Sequence, residues 1–285
     1  MKISDIIASK EITVSLEIFP PKQGTELEHS RNLVAEMAKL SPDFISVTYG
    51  AAGTTARFTA ELADEVERCG IASLAHVTCV STDEEALDNY LASLKANGIE
   101  NILALRGDMP DGREPKKVYA HASDLATAIK QKGDFCIGGA CYPEGHPEAS
   151  SVSADIDALK IKAESGCEFF TTQMFFDNDI MYSFLSKFQR KGINIPVIAG
   201  IMPITNARQL GRSVALSGTT VPRRFREIVE RFGDKPLAMR QAGIAFATEQ
   251  IIDLIANGVN NIHIYAMNKP DVAAEILSNI SEIRK

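Results

Sequence analysis

Short apolar runs recur along the chain, and each is followed by a longer stretch in which apolar residues return every three or four positions. The first pattern predicts buried strands and the second predicts helices with one buried face. The strands read as 12–19, 44–49, 72–79, 101–105, 135–142, 168–173, 195–201 and 261–265. Several are nearly continuous in apolar character, as expected where both faces of a sheet are covered. The helices read as 26–39, 57–69, a segment capped by Thr82 and running to Asn97, 122–132, 153–165 with Ser151 or Ser153 as cap, 178–191, two or three segments between 205 and 257, and 270–283. Gly70, Gly98, Gly166, Gly192 and Gly258 follow helices in the position where glycine closes a helix end. A short leading segment precedes the first strand, and a long polar loop, 109–120, follows the fourth.

Strand and helix alternate eight times, which predicts one single-domain (β/α)8 barrel over residues 1–285 with an enlarged helical connection after strand seven. An open doubly wound sheet is the rival. It would suit a dinucleotide enzyme, but no G-x-G-x-x-G follows the first strand. No linker, low-complexity tract or second domain interrupts the alternation.

In such a barrel the active residues stand at the carboxyl ends of the strands. Those ends carry Glu17, Thr48 and Tyr49, His76 and Thr78, Arg106 and Asp108, Tyr142, Gln173 and Tyr265. Glu17 is the sharpest of them: a lone acid in an apolar strand that Pro20 and Pro21 bring to a halt. A carboxylate placed there either pairs with a cation or carries a raised pKa. Each of the others has a plain structural reading beside a functional one. His76 reads as a core histidine or a ligand-facing one, and Arg106-Gly107-Asp108 as a turn with an internal ion pair or a close approach to a phosphate or planar ring. Asp155 and Lys162 share a helix face two turns apart, which suits a solvated surface pair or a common ligand. Gln173 needs hydrogen-bond partners, which a heterocycle edge would supply. His29 and His263 read as structural, and nothing beside Cys79 or Cys141 would lower a thiol pKa.

Composition narrows the class. Hydrophobic residues make up 45% and charged residues 24%, and the formal charge of −7 argues against a nucleic-acid groove as the main surface. The five cysteines include no C-x-x-C, and no His/Cys cluster has metal-site spacing, so the expectation is a reducing cytoplasm with neither disulfide nor zinc. The start of the chain lacks a signal-peptide core, and no apolar stretch approaches the roughly 20 residues of a membrane span. No strand end offers a lysine for Schiff-base chemistry, and no nucleophile–base pair stands out. A redox reaction here would need an organic cofactor.

Six segments in order carry a resemblance: Glu17-Ile18-Phe19-Pro20-Pro21-Lys22, Ser46-Val47-Thr48-Tyr49-Gly50-Ala51, Ala75-His76-Val77-Thr78-Cys79, Ala104-Leu105-Arg106-Gly107-Asp108, Tyr142-Pro143-Glu144-Gly145-His146-Pro147 and Thr172-Gln173-Met174-Phe175-Phe176-Asp177. With this order and spacing the chain resembles the methylenetetrahydrofolate reductase family. The resemblance implies a barrel that holds FAD and reduces 5,10-methylenetetrahydrofolate to 5-methyltetrahydrofolate. It implies Glu17 as the general acid, Asp108 between flavin and pterin, Gln173 and Gln209 as substrate contacts, and Thr48, His76, Arg106, Gly107, Asp108, Tyr119, Ala122, Tyr142, His146, Asp155 and Lys162 as cofactor contacts. The loop leading to Tyr119 and Ala122 is longer than the family pattern, and Ser213 stands where some relatives place a Phe that stacks on substrate or nicotinamide. The implied partners are a folate substrate and, as electron donor, NAD(P)H or a partner electron-transfer subunit. A homo- or hetero-oligomer is compatible with the sequence, and a regulatory domain is not expected within these residues.

Overall fold

The computed structural model describes residues 1–21, 26–49, 56–108, 116 and 118–285, with the side chains of Arg212 and Leu216 left out. Lys22, Gly50, Ala51 and most of the 109–120 loop, all named above, lie outside the described residues.

Eight parallel strands close into a barrel in chain order: β1 (Thr13–Ile18), β2 (Phe44–Val47), β3 (Ala72–Thr78), β4 (Asn101–Leu105), β5 (Cys136–Cys141), β6 (Cys167–Thr172), β7 (Val197–Ile201) and β8 (Asn261–Ile264). The last strand returns to the first, with Thr13 opposite Asn261 and Leu16 opposite Ile264. The single (β/α)8 barrel expected from the alternation is the fold. Helices α2 (Leu27–Ala38), α3 (Ala56–Arg68), α4 (Glu84–Ala96), α5 (Ala122–Lys132), α6 (Val152–Glu164) and α7 (Asn178–Arg190) link successive strands. The enlarged connection after β7 holds α8 (Ala207–Ser217), α9 (Arg223–Phe232) and α10 (Pro236–Ala256), and α11 (Pro270–Asn279) follows β8. Two details differ from expectation. The cap of α4 is Asp83, whose carboxylate accepts the Ala86 N–H (3.0 Å), and not Thr82. The leading segment is itself a helix, α1 (Ile3–Ser9).

Strand alternation divides the side chains into two sets. Those facing outward, among them Val14, Leu16, Ile18, Ile45, Val47, Ile102 and Ile262, pack under the helices in the main core. Those facing inward change character along the barrel axis. At the amino-terminal end they are apolar: Phe44, Leu74, Leu103, Cys136, Phe169 and Ile198, closed from below by Ile3 and Ile6 of α1. Asn101 ties this plug down. Its Oδ1 accepts the Ile3 N–H (2.8 Å), and its Nδ2 donates to the carbonyls of Met1 and Ser73 (3.0 Å each). Gly138 faces Phe169 across the β5–β6 ladder, and a Cβ there would stand 2.4 Å from Cζ of Phe169. The glycine therefore makes room for the ring that fills the barrel floor. The helices after β7 have a separate core of Met174, Phe176, Ile204, Leu210, Phe225 and Met239, in which Phe225 lies 5.2 Å from Phe176 and 4.2 Å from Phe246 between ring centres.

Candidate active site

Above the apolar floor the barrel interior turns polar. Ser15 Oγ and His263 Nδ1 share a hydrogen bond of 2.7 Å, and Ser46 Oγ lies 3.4 Å from Nε2 of the same ring. His76 is buried beside them. Its Nε2 has no hydrogen-bond partner among the described residues. Burial pushes both imidazoles down to about 3, so each is neutral near pH 7. His263 keeps the structural character read for it, held by two serines, and it also faces the site.

Glu17 stands one step further up β1. It is 7% exposed, and no hydrogen bond or ion pair reaches its carboxylate among the described residues. Removal from water alone raises its pKa to about 8. Of the two readings open for Glu17, the described residues fit the unpaired acid and not the structural ion pair. Tyr265 closes one side: its hydroxyl donates to the Thr172 carbonyl (2.6 Å) and its ring stands edge-on to His263 at 5.0 Å.

Glu17, Ser46, His76, His263 and Tyr265 line one cavity of about 1050 Å3 at the carboxyl end of the barrel. Its wall brings together Glu17, Thr48, His76, Arg106, Gly107, Asp108, Ala122, Tyr142, His146, Asp155, Lys162 and Gln173. Tyr119 and Gln209 are not in that wall. Tyr119 packs into the main core, and Gln209 caps its own turn, accepting from the Thr205 N–H (3.1 Å) and donating to the Pro203 carbonyl (3.2 Å). The wall also contains Phe19, Glu148, Thr171 and Met202, which sequence reading did not single out. For Thr171 the signal was available, since it lies two residues before Gln173 and so on the same face of β6.

The side chains are held individually. Arg106 forms a two-point ion pair with Glu148, which raises the guanidinium pKa further. Lys162 Nζ donates to the Ala140 carbonyl (2.8 Å), and Asp155 accepts the His146 N–H (3.1 Å), while burial raises the Asp155 carboxyl. The rings of Tyr142 and His146 meet edge to face at 4.7 Å. Gln173 Oε1 accepts the Met174 N–H (2.9 Å). Gly107 has φ +85°, and a Cβ on it would stand 2.7 Å from Val80 Cγ2 and 2.8 Å from Thr78 Cβ. Only glycine fits this turn over the cavity. All five cysteines are free, and burial pushes the thiols of Cys79 (to about 12) and Cys141 up, away from thiolate chemistry. Among the described residues no group of three or more His, Cys, Asp or Glu is placed to hold a metal ion, and no helix is long and apolar enough to cross a membrane.

The model of the family described as methylenetetrahydrofolate reductase matches residues 2–281. The chain belongs to the methylenetetrahydrofolate reductase family. It is 32% identical to the 5,10-methylenetetrahydrofolate reductase of Escherichia coli (strain K12), over 93% of this chain and 90% of that one. It is 33% identical to methylenetetrahydrofolate reductase (NADH) 1 of Arabidopsis thaliana, over 99% of this chain and 50% of the plant protein. The chain thus spans about half the length of the plant and yeast relatives it matches. Among solved structures, an uncharacterized protein from Clostridium thermocellum that binds two copies of 5-methyl-5,6,7,8-tetrahydrofolic acid matches with a TM-score of 0.69 at 14% identity. The match covers 100% of this chain and 99% of that one, and the likeness is one of fold.

Proposed function

We propose that the chain reduces 5,10-methylenetetrahydrofolate to 5-methyltetrahydrofolate, with Glu17 as the general acid and FAD as the redox cofactor. The observation that carries this reading is Glu17 itself: a buried carboxyl with no charge partner among the described residues, in the wall of a cavity of about 1050 Å3. A pKa of about 8 keeps Glu17 protonated at neutral pH, as a general acid must be. In that state it gives its proton to the folate ring nitrogen as the methylene bridge opens.

The residues present fit a flavin dinucleotide. His76 Nε2 is a buried polar atom without a partner among the described residues, and Gly107 lets backbone come close to a flat ligand. Arg106 and Lys162 supply positive charge for a pyrophosphate. Thr48, Asp108, Tyr142, His146 and Asp155 complete the set that would hold it, with Ala122 beside them; Tyr119 would act from behind the wall. When bound, FAD supplies the hydride. Gln173 is the amide proposed to orient the pterin, and Gln209 a substrate contact outside the wall. The electron donor is proposed as NAD(P)H or a partner electron-transfer subunit. The buried Ser213, whose hydroxyl turns to Met202 Sδ (3.2 Å), favours the partner, because it offers no aromatic face to a nicotinamide.

Purified protein should show a flavin spectrum that 5-methyltetrahydrofolate bleaches without oxygen. Glu17→Gln should keep fold and flavin while turnover falls about 10²–10⁴-fold. A colourless protein that binds no FAD, or a variant within a few-fold of wild type, would overturn the reading.

A further inference from the structure

Strand β8 leaves the barrel one residue too early for its neighbour. The odd-numbered residues of β1 direct their backbone groups toward β8, as Thr13 shows by donating to the Asn260 carbonyl (3.0 Å). Leu16 opposite Ile264 is the last registered pair. At Ala266 the chain folds back on itself, its N–H donating to the Ile264 carbonyl (2.9 Å). Phe19, at the end of β1, thereby has no backbone partner on that side among the described residues.

The side chain of Asn268 takes the missing place. Its Oδ1 accepts the Phe19 N–H (2.8 Å), and its Nδ2 donates to the Phe19 carbonyl (3.2 Å). One amide thus imitates one further residue of strand. To reach that position the chain makes a tight turn from Ala266 to Lys269, closed by Lys269 N–H to Ala266 O (3.0 Å), with φ +53° at Met267 and +55° at Asn268. Positive φ at both central positions is the mirror-image form that normally calls for Gly, Asn or Asp. Asn suits it, whereas Met does not, and such strain persists only where surrounding contacts impose it. The turn is pinned from its other side too, by Lys269 Nζ on Thr205 Oγ1 (2.8 Å).

We propose that Asn268 is a positioning residue for the general acid: by completing the β1–β8 ladder at Phe19 it fixes the end of β1 and so the direction of Glu17. The inference rests on the reading of Glu17 given above. Glu17 and Phe19 both line the cavity, and Pro20 and Pro21 follow immediately without an N–H to offer. Without the amide, Phe19, beyond the last β1–β8 pair of Leu16 with Ile264, would follow a strand end held on the β2 side through Glu17–Ser46, Ile18–Val47 and Thr48 N–H to Ile18 O (3.1 Å).

The test compares Asn268→Ala, Asn268→Gly and Asn268→Asp with Glu17→Gln, reading bound flavin, thermal midpoint, kcat, KM and the pH profile of folate reduction. Glycine accepts the turn without strain and removes only the amide, so it separates positioning from backbone relief. The expected result is a fall in kcat of about tenfold or more in both the Ala and Gly variants, since small misplacements of reacting groups are costly. KM and flavin content should change little, the pH profile should shift, and Asp, which still accepts from Phe19 N–H, should recover part of the rate. A Gly variant with wild-type kcat and pH profile overturns the proposal, even if the Ala variant fails to fold. Loss of activity in step with loss of folded protein, at an unshifted pH profile, overturns it as well. If Glu17→Gln itself stays within a few-fold of wild type, the acid reading fails, and the Asn268 proposal falls with it.

Discussion

At the amino-terminal end of the barrel, Phe44, Leu74, Leu103 and Phe169 meet beneath Ile3 and Ile6, and the one amide among them, Asn101, has both ends of its side chain engaged. At the carboxyl end, among the described residues, Glu17 is buried with no partner and His76 has an unanswered ring nitrogen, while Met267 and Asn268 hold strained backbone. Both ends belong to the same strands, separated by only a few residues along each. Buried polar groups are normally satisfied, and leaving one unsatisfied destabilises a fold by more than a typical hydrogen bond contributes. The floor follows that rule and the mouth departs from it. Glu17 and His76 line the same cavity, which is what is expected when part of the folding stability is given up to keep a site ready for a ligand.

The comparison can be broken first at the floor. Phe169→Ala empties the space that Gly138 opens for the ring. It should destabilise by about 3–5 kcal/mol in urea denaturation, while the folded fraction keeps most of its turnover. A variant that stays stable but loses catalysis would mean that the two ends are not separable.

Next is the mouth. In the unfolded chain Glu17 ionises in the ordinary carboxylate range, but in the folded protein only at about 8. Between those values the native state holds a proton that the unfolded state has released. The stability Glu17 allows is therefore fully present below its unfolded pKa, and falls as pH rises, levelling off above about 8. Glu17→Gln removes this dependence. It should match wild type near pH 4.5 and exceed it at pH 8 by a few kcal/mol, because each tenfold difference in proton affinity between the folded and unfolded states is worth about 1.4 kcal/mol. Equal stability curves for the two proteins across that range would show that the carboxyl is solvated and not poised. A gain in stability joined to the loss of turnover predicted above would make the trade at this residue directly visible.

Much of this molecule was legible in its sequence, because the signals were periodic. Eight apolar runs alternating with helical stretches leave few architectures, and a strand halted by Pro20 and Pro21 places Glu17 at an end. What escaped were contacts without a period. Helix α1 spans only seven residues and buries two of them, Ile3 and Ile6, too short a pattern to tell from a loop. Asn268 acts through its side chain on the backbone of a residue at the other end of the chain, and nothing local to Met267-Asn268-Lys269 announces Phe19 as the partner. The Arg106–Glu148 pair likewise joins two loops, after β4 and after β5. Gln209, a substrate contact only by resemblance, makes its side-chain hydrogen bonds within its own turn, which no periodic pattern announces.

The smallest expected effect concerns the plug. Asn101→Ala removes the acceptor of the Ile3 N–H and the donor to the Met1 and Ser73 carbonyls, but leaves Ile3 and Ile6 their apolar contacts. Helix α1 can then swing out and let water satisfy the freed groups, so the loss should be about 1–3 kcal/mol and confined to the floor. Hydrogen exchange resolves this: amides of Ile3–Ser9 should lose protection well before those of β1, with kcat unchanged. If they stay as protected as the barrel strands, the plug is held by Ile3 and Ile6 alone. The floor would then owe its integrity to apolar packing, leaving hydrogen-bond satisfaction as a consequence of the close fit and not its cause.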